Sequence, residues 1–184
     1  MNKNTKEHWD EEWNSEKRKF PIYTMNIVCW EIPEGSSVLD IGCGNGRFLR
    51  QVLRERKPTE LFGIDISSVG IKQMVGNGVN GEVWNAENMD DFDKEFDVVV
   101  CTHVLEHVDN DTGLAKNIAR ISKKQILIAV PNDCSYPEVT GTHVRKYTFE
   151  TLCDLFKDTE FKTIKNLTRK SRFLKNHLIV SFSK

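Results

Sequence analysis

The sequence predicts an α/β fold in which helices cover both faces of a mostly parallel sheet. Short apolar runs rich in β-branched residues alternate with segments whose apolar residues recur at helical spacing. This alternation is typical of right-handed β-α-β crossovers, whose strands lie parallel in one three-layer domain. A glycine-rich turn joins the first strand of the series to the first helix and contains Asp40, Gly42, Gly44 and Gly46.

The chain is expected to form one domain, 1–184, because a single hydrophobic core commonly serves about 100 to 200 residues. Its 39% hydrophobic and 29% charged residues are a globular mixture. The formal charge of −1 gives no overall positive potential that would attract nucleic acid. A nucleic-acid partner is therefore unsupported, although the basic stretch 162–175 leaves a local patch open.

The cysteines and the N-terminus bear on the compartment. Five cysteines are scattered without C-x-x-C spacing, which favours free thiols in a reducing environment. The charged N-terminus lacks the apolar stretch of a signal peptide, and no run is long enough to cross a bilayer. We expect a cytoplasmic protein with no membrane partner. The sequence gives no indication of the oligomeric state.

The segment 1–32 mixes charges with aromatic residues, a composition that predicts amphipathic helices lying over something apolar. We interpret it as an N-terminal helical lid on a core that spans 37–184. Trp9, Trp13 and Tyr23 are the aromatic candidates for covering a ligand. We favour Tyr23 as the lid contact.

The first half of the core is predicted from short apolar runs and the residues between them. Residues 37–41 form a strand that enters the glycine turn, and a helix extends from residue 45 to before Pro58. Residues 61–66 form the second strand. The serine pair 67–68 is suited to cap the next helix, because serine oxygens accept from first-turn amides. A short third strand is expected at 83–84.

The second half continues the alternation. Residues 96–101 are apolar enough to be buried on both faces, as central parallel strands are. A helix over 111–122, a strand over 125–130 and a helix over 148–156 are predicted next. Two closing strands are expected last, at 161–166 and 178–182.

The glycine turn is the expected ligand site, since ligands of open α/β sheets bind at the carboxyl ends of the strands. Glycine lets the backbone adopt positive φ and approach a ligand without a Cβ in the way. Asp65 ends the next strand, 19 residues after Gly46, where a carboxylate can accept ribose hydroxyls. The G-x-G-x-G spacing differs from the G-x-G-x-x-G of dinucleotide-binding enzymes, so a nucleotide-dependent dehydrogenase is kept only as an alternative.

Residues 38–49, which contain this turn, resemble the cofactor-binding signature of class I S-adenosylmethionine-dependent methyltransferases, especially the small ubiquinone-type, type 11 and type 23 domains. Residues 96–108 are similar to the fourth strand and following turn of that family. The resemblance implies a Rossmann-like three-layer sandwich with a mostly parallel seven-stranded sheet and an antiparallel closing strand. It implies S-adenosyl-L-methionine as cofactor and S-adenosylhomocysteine as product.

The resemblance also implies the cofactor contacts. Asp40, ahead of the turn, would attract the methionine amino group. An acidic or amide side chain after the third strand would meet the adenine amino group, and Asn85, Glu87 or Asn88 could do so. The predicted cofactor-binding residues are Asp40, Gly42, Gly44, Gly46, Asp65, Ile66, Asn85, Glu87, Thr102 and His103.

Methyl transfer from a sulfonium is an in-line displacement, so the protein mainly aligns and desolvates the reactants. A base for the proton of the accepting oxygen or nitrogen helps, and histidine suits that role near neutrality. We predict His107 and His143 as catalytic residues. No Asn-Pro-Pro-Tyr or Asp-Pro-Pro-Tyr follows the fourth strand, and the short chain has no room for a recognition domain. The expected acceptor is a hydroxyl, or an amine, of a small molecule.

The histidine segment leaves alternatives open. His103, Glu106 and His107 match H-x-x-E-H, the inverted zinc-protease motif, which would indicate a metallopeptidase if a long helix carried it. The segment also resembles ubiquinone-pathway O-methyltransferases and methyltransferases acting on 2′-hydroxyls of small RNA 3′ ends. Some of these bind a divalent metal through E-x-x-E-H and a distant histidine. Here His103 replaces the first glutamate, and Glu106, His107 and His143 stand in the matching places.

Replacing a carboxylate by an imidazole would favour a softer metal than magnesium. We assign no residue as a metal ligand and leave a divalent metal open. A catalytically silent S-adenosylmethionine-binding module that regulates a partner is the remaining alternative.

Overall fold

One seven-stranded sheet organises the protein in the computed structural model, which describes residues 4–15, 22–132, 142–168 and 177–184. The helices are α1 Lys6–Asn14, α2 Ile22–Glu31, α3 Arg47–Arg56, α4 Ser68–Gly76, α5 Asp111–Ile121 and α6 Phe149–Phe156. The strands are β1 Ser37–Ile41, β2 Glu60–Asp65, β3 Asn80–Val83, β4 Phe96–Thr102, β5 Ser122–Pro131, β6 Thr163–Asn166 and β7 His177–Ser183. A short 3₁₀ segment covers Ala86–Asp91.

The strand order is β3-β2-β1-β4-β5-β7-β6. The pairings of β1 with β2, β1 with β4, β2 with β3 and β4 with β5 are parallel, and β7 is antiparallel to both β5 and β6. This confirms the predicted mostly parallel sheet with an antiparallel closing strand. The chain order reverses between β1 and β4, so a cleft is expected beyond the carboxyl ends of these two strands.

Alternate residues of the central strands pack into two hydrophobic layers, one on each face of the sheet. Val99 and Cys101 of β4 lie in the layer that includes residues of α5 and α6, whereas Val98 and Val100 lie in the layer that includes residues of α2 and α3. All four are at most 1% exposed. The prediction that this strand is covered on both faces is therefore confirmed.

The helix α2 contributes to the second core layer. Val28 and Cys29 are fully buried there with Phe48 of α3 and Ile179 of β7. Tyr23, which we expected to contact the ligand as part of a lid, is 59% exposed and does not line the cavity described below. Of the segment 1–32, the described residues that line the cavity are Asn4 and, on α1, Trp9 and Trp13.

The third strand shows where the sequence pattern was weak. It covers Asn80–Val83, which precedes Trp84, and its residues are mostly polar or glycine. Strand β3 therefore forms because it pairs with β2, and its own sequence has no apolar run that would predict a strand. The third strand was predicted at 83–84 and so overlaps the observed strand only at Val83, and the 3₁₀ segment after it, capped by Asn85, was not predicted.

None of the helices among the described residues is both long and apolar enough to cross a membrane. Residues 133–141, which include Cys134, and residues 169–176, which include part of the basic stretch, lie outside the described residues.

Candidate functional site

The glycine turn lies at the carboxyl end of β1 and takes a left-handed path. Gly42 and Gly44 have φ values of 77° and 53°, which residues with a Cβ rarely adopt. A Cβ on Gly42 would collide with the Val104 side chain, and one on Gly44 would collide with the Trp13 indole. Both positions therefore require glycine for conformation and for space.

Asp65 braces this turn from the neighbouring strand. Its Oδ2 accepts a hydrogen bond from Gly44 N and its Oδ1 accepts one from Ser67 N, both at 2.8 Å. The carbonyl of Ile64 accepts from Gly42 N at 2.8 Å. A carboxylate has about four lone-pair sites, so Asp65 can still accept from a ligand hydroxyl while it holds the turn.

Asp40 is a buried carboxylate next to the turn. It is 2% exposed, and its Oδ1 has no hydrogen-bond partner among the described residues. Burial, and then the nearby charge of Asp65, raises the pKa of Asp40 well above its usual range. An unpaired buried carboxylate is costly, and a cation supplied by a ligand would remove that cost.

A cavity opens at the carboxyl ends of β1, β2 and β4, the edge of an open α/β sheet where ligands bind. Six of the predicted cofactor-binding residues line it, namely Gly42, Asp65, Ile66, Asn85, Glu87 and His103. The other four, Asp40, Gly44, Gly46 and Thr102, do not line it. A Cβ on Gly46, for example, would collide with Met74 of α4.

The residues expected at the adenine end also hold two loops together. Asn85 Oδ1 accepts from Glu87 N at 3.0 Å, which starts the 3₁₀ segment. The Glu87 carboxylate accepts from Asp109 N at 2.6 Å and from Asn110 N at 3.3 Å. These contacts join the loop after β3 to the loop before α5, and they orient both side chains at the cavity wall.

Several lining residues were not predicted. They are Asn4, Ile41, Ile64, Trp84, Ala86, Val104 and Val108, and with them Trp9 and Trp13, which had been left undecided. The apolar ones lie at strand ends or in turns, where a periodic pattern says nothing about a cavity. The two tryptophans belong to a charged helix with no buried residue, so no apolar stripe marked them.

A second cavity of about 850 Å³ adjoins the first. It is lined by His8, Trp9, Glu12, His103, Glu106, His107, Thr142 and His143. Trp9, His103 and His107 line both cavities. Molecules bound in the two spaces would therefore meet at these three side chains.

Glu106 is the buried centre of the second cavity, at 1% exposed. Its Oε1 lies 3.2 Å from His103 Nδ1 and 3.9 Å from His107 Nε2. The Thr142 carbonyl, which can only accept, lies 3.1 Å from His107 Nδ1, so Nδ1 carries the proton. In neutral His107 the lone pair is consequently on Nε2, which faces the cavity.

The charges in this cluster are coupled. Burial is the largest influence on Glu106 and raises its pKa, but the hydrogen bond and charge of His103 and the charge of His107 outweigh it, so the net pKa is lowered. Burial lowers the pKa of His107. Glu106 is therefore ionised and His107 neutral near pH 7, a state in which His107 can accept a proton.

His143 joins the cluster from a distant part of the chain. Its ring centroid lies 4.9 Å from that of His107. Glu106, His107 and His143 each offer one ligand atom, and these atoms lie within 4.8 Å of one another. Two imidazoles and a carboxylate at such separations form a donor set that can hold a divalent cation.

His103 directly follows β4 and has a left-handed backbone conformation that is unusual for a residue with a side chain, with φ of 57°. Its backbone N donates to Ala129 O at 2.8 Å, which fixes the residue at the sheet edge. Such a conformation costs of the order of 1 to 3 kcal/mol and is found most often at functional sites. The ring meets that of His177 edge-on, with centroids 5.0 Å apart.

Comparisons with known proteins agree with this geometry. Residues 25–166 match a family model described as a methyltransferase domain. A bifunctional methionine biosynthesis protein MetXA/MetW of Rhodopirellula baltica is 33% identical over 110 residues, which are 55% of this chain and 18% of that protein. A ubiquinone biosynthesis O-methyltransferase of Xanthomonas oryzae pv. oryzae is 26% identical over 124 residues, 60% of this chain and 51% of that enzyme. The chain thus matches only part of the length of either relative.

Among solved structures, the magnesium protoporphyrin IX methyltransferase of Synechocystis with bound S-adenosylhomocysteine has a TM-score of 0.71 and 12% sequence identity, with 97% of both chains covered. At this identity the likeness shows the fold. A second structure of the same enzyme holds S-adenosylmethionine, with a TM-score of 0.66.

Proposed function

The chain belongs to the class I S-adenosylmethionine-dependent methyltransferases, and we propose that it transfers a methyl group to a hydroxyl, or to an amine, of a small-molecule acceptor. The observation that carries this proposal is the pair of adjoining cavities that share Trp9, His103 and His107. A donor in the first cavity and an acceptor in the second would meet at the side chains best suited to remove a proton.

The residues of the first cavity suit the cofactor. Asp40, two residues before Gly42 of the cavity wall, offers an ammonium group a buried carboxylate whose Oδ1 has no partner among the described residues, and Asp65, which lines the cavity, offers its carboxylate to the ribose hydroxyls. Gly42 leaves bare backbone at the cavity wall. When bound, S-adenosylmethionine would supply a methyl group attached to a positively charged sulfur. This sulfur needs no further activation to act as the leaving group.

The residues of the second cavity would prepare the acceptor. An acceptor held here would pass the proton of its oxygen or nitrogen to His107 Nε2 as that atom takes up the methyl group that a bound cofactor would supply. The Thr142 carbonyl holds His107 in the correct tautomer, and the Glu106 carboxylate stabilises the imidazolium that forms. His143 stands beside His107 to orient the acceptor, and Trp9 excludes water from the shared wall.

A second candidate is metal-assisted transfer to a hydroxyl, favoured by the close donor atoms of Glu106, His107 and His143. A cation there would hold the acceptor oxygen and favour its deprotonated form. The likeness to an O-methyltransferase supports a hydroxyl as acceptor. A 2′-hydroxyl of RNA would be read as the acceptor only if small hydroxyl compounds are not methylated.

The experiment that tests the proposal has two steps. Isothermal titration calorimetry with S-adenosylhomocysteine should give micromolar binding, with NAD as a negative control. Transfer of a radiolabelled methyl group is then screened over small phenols, alcohols and amines, with and without EDTA, Mg²⁺ and Zn²⁺. His107→Gln should lower kcat by about 10²- to 10⁴-fold on any acceptor found, because it removes the base.

Each alternative has its own outcome in that experiment. Failure to bind S-adenosylhomocysteine would contradict the proposal. Binding without transfer to any acceptor would favour a silent regulatory module. Activity that EDTA abolishes and Zn²⁺ restores would select the metal-assisted form.

A further inference from the structure

Helix α1 is held to the protein without a hydrophobic core of its own. None of its nine residues is buried. A helix of this length is not stable by itself in water, so its contacts with the rest of the chain decide whether it forms and where it lies.

The strongest of these contacts is Asp10 at the start of α4. Its carboxylate accepts from Ser67 Oγ at 2.6 Å, from Ser68 Oγ at 3.1 Å and from Val69 N at 3.1 Å. Ser67 Oγ itself caps Gly70 N, so Asp10 satisfies an amide of the first turn that this cap leaves free. A negative charge here is also favoured by the α4 dipole.

Two weaker contacts hold the ends of the N-terminal segment. Asn4 Nδ2 donates to the carbonyls of His107 at 2.8 Å and Thr142 at 2.9 Å. Gln73 Nε2 donates to the Trp13 carbonyl at 3.1 Å. The segment 4–14 is therefore fastened to the cofactor side through α4 and to the histidine cluster through Asn4.

Docking of α1 adds one wall to each cavity. Trp13 lies against Gly44 and lines the first cavity, and His8 and Glu12 line the second. Trp9 lines both and meets the His107 ring edge-on, with centroids 5.1 Å apart. Without α1, both spaces would open to solvent at the point where they meet.

We propose that α1 is a detachable wall, latched by Asp10 onto α4, and that latching both closes the cofactor cavity and completes the acceptor cavity. The wall precedes residues 25–166, the region that matches the family model. The acceptor part of this inference rests on the proposed function. Since a bound cofactor would touch Trp9 and Trp13, cofactor binding and latching favour each other reciprocally.

The test compares Asp10→Ala with Glu11→Ala, an exposed acid on the same helix. Hydrogen exchange of the amides of 6–14 is followed by mass spectrometry with and without S-adenosylhomocysteine, and its dissociation rate is measured by stopped-flow fluorescence. Asp10→Ala should speed α1 exchange and ligand dissociation by about tenfold or more, since it removes charge-assisted hydrogen bonds. Glu11→Ala should match the unaltered protein, in which the ligand slows α1 exchange.

Unchanged α1 exchange in Asp10→Ala would overturn the proposal, as would α1 exchange that the ligand does not slow in a protein that binds it. If Asp10→Ala does not fold, as judged by near-UV circular dichroism, Ser68→Ala decides. It removes one donor to the carboxylate and should speed α1 exchange by roughly threefold. If the protein does not bind S-adenosylhomocysteine at all, the proposed function fails, whereas the exchange of the ligand-free variants still tests the latch.

Discussion

The two walls of the cofactor cavity are built by different physical means. The inner wall, formed by the glycine turn and Asp65, is buried and fixed by short hydrogen bonds between neighbouring parallel strands. The outer wall, α1, has no buried residue and depends on Asp10 and on two indoles. The comparison teaches that one wall is preorganised for the ligand, whereas the other can form and open within the same folded protein.

The largest effect is expected at the inner wall, from Asp65→Ala. The change leaves the amides of Gly44 and Ser67 without their acceptor and removes the carboxylate that we propose as the ribose partner. Affinity for S-adenosylhomocysteine should fall by about 100-fold or more, with a loss of roughly 1 to 3 kcal/mol in unfolding free energy. Calorimetry and urea unfolding measure the two quantities. Asp93→Ala, an exposed acid, is the control, and equal affinity in both variants would break the comparison.

Asp40→Asn, at the inner wall, should change the stability of the ligand-free protein and its affinity for the ligand in opposite directions. The amide removes an unpaired buried charge, so the ligand-free protein should gain about 1 to 3 kcal/mol in stability. Affinity for S-adenosylhomocysteine should fall by roughly tenfold to 100-fold, because the ammonium group loses its counter-charge. Thermal unfolding with and without ligand measures both effects. A variant that is less stable without ligand would show that Asp40 has an internal partner after all.

Trp13→Ala tests whether the outer wall contributes to ligand affinity without contributing much to stability. The variant loses the indole that covers Gly44, and affinity for S-adenosylhomocysteine should drop by about tenfold. The unfolding free energy should change by less than about 1 kcal/mol, because α1 contributes no buried residue. Trp30→Ala is the matched control, since this indole is 73% exposed on α2 and lines neither cavity. Similar affinities in the two variants would argue against α1 as a wall.

The last effect is expected from pH, at His177, whose ring meets that of His103 edge-on. Burial, and then the charge of His103, lowers the pKa of His177 to about 4. The unfolded chain therefore binds more protons than the folded protein between about pH 4 and pH 6.5, and this contribution to stability falls as the pH drops through that window. With allowance for the partial exposure of the ring, the loss is roughly 1 to 2 kcal/mol.

Urea unfolding at pH 7, 5.5 and 4.5 measures this loss, with His177→Asn as the comparison. The variant should show a shallower decline, because the titrating imidazole is gone. Parallel declines in the two proteins would assign the pH dependence to other groups.

Much of the inner wall could be predicted from sequence. Residue type and spacing predict Gly42, Gly44 and Asp65. A left-handed turn needs glycine, and a residue at the carboxyl end of the second strand lies at the edge of the sheet where ligands bind. The order of strands and helices followed from local periodicity in the same way. The third strand was predicted at 83–84 instead of Asn80–Val83, because it is polar and depends on pairing with β2.

The tertiary structure alone decided how distant segments share one site. It placed His143 against His107, put Trp9 on the wall common to both cavities and left Asp40 Oδ1 without a hydrogen-bond partner in the part of the chain that the structure describes. The sequence by itself determined the fold, the glycine turn and its acid, because these depend on backbone conformation and on residues close along the chain. The acceptor side and its wall depend on contacts between residues tens of positions apart, and no local pattern records those.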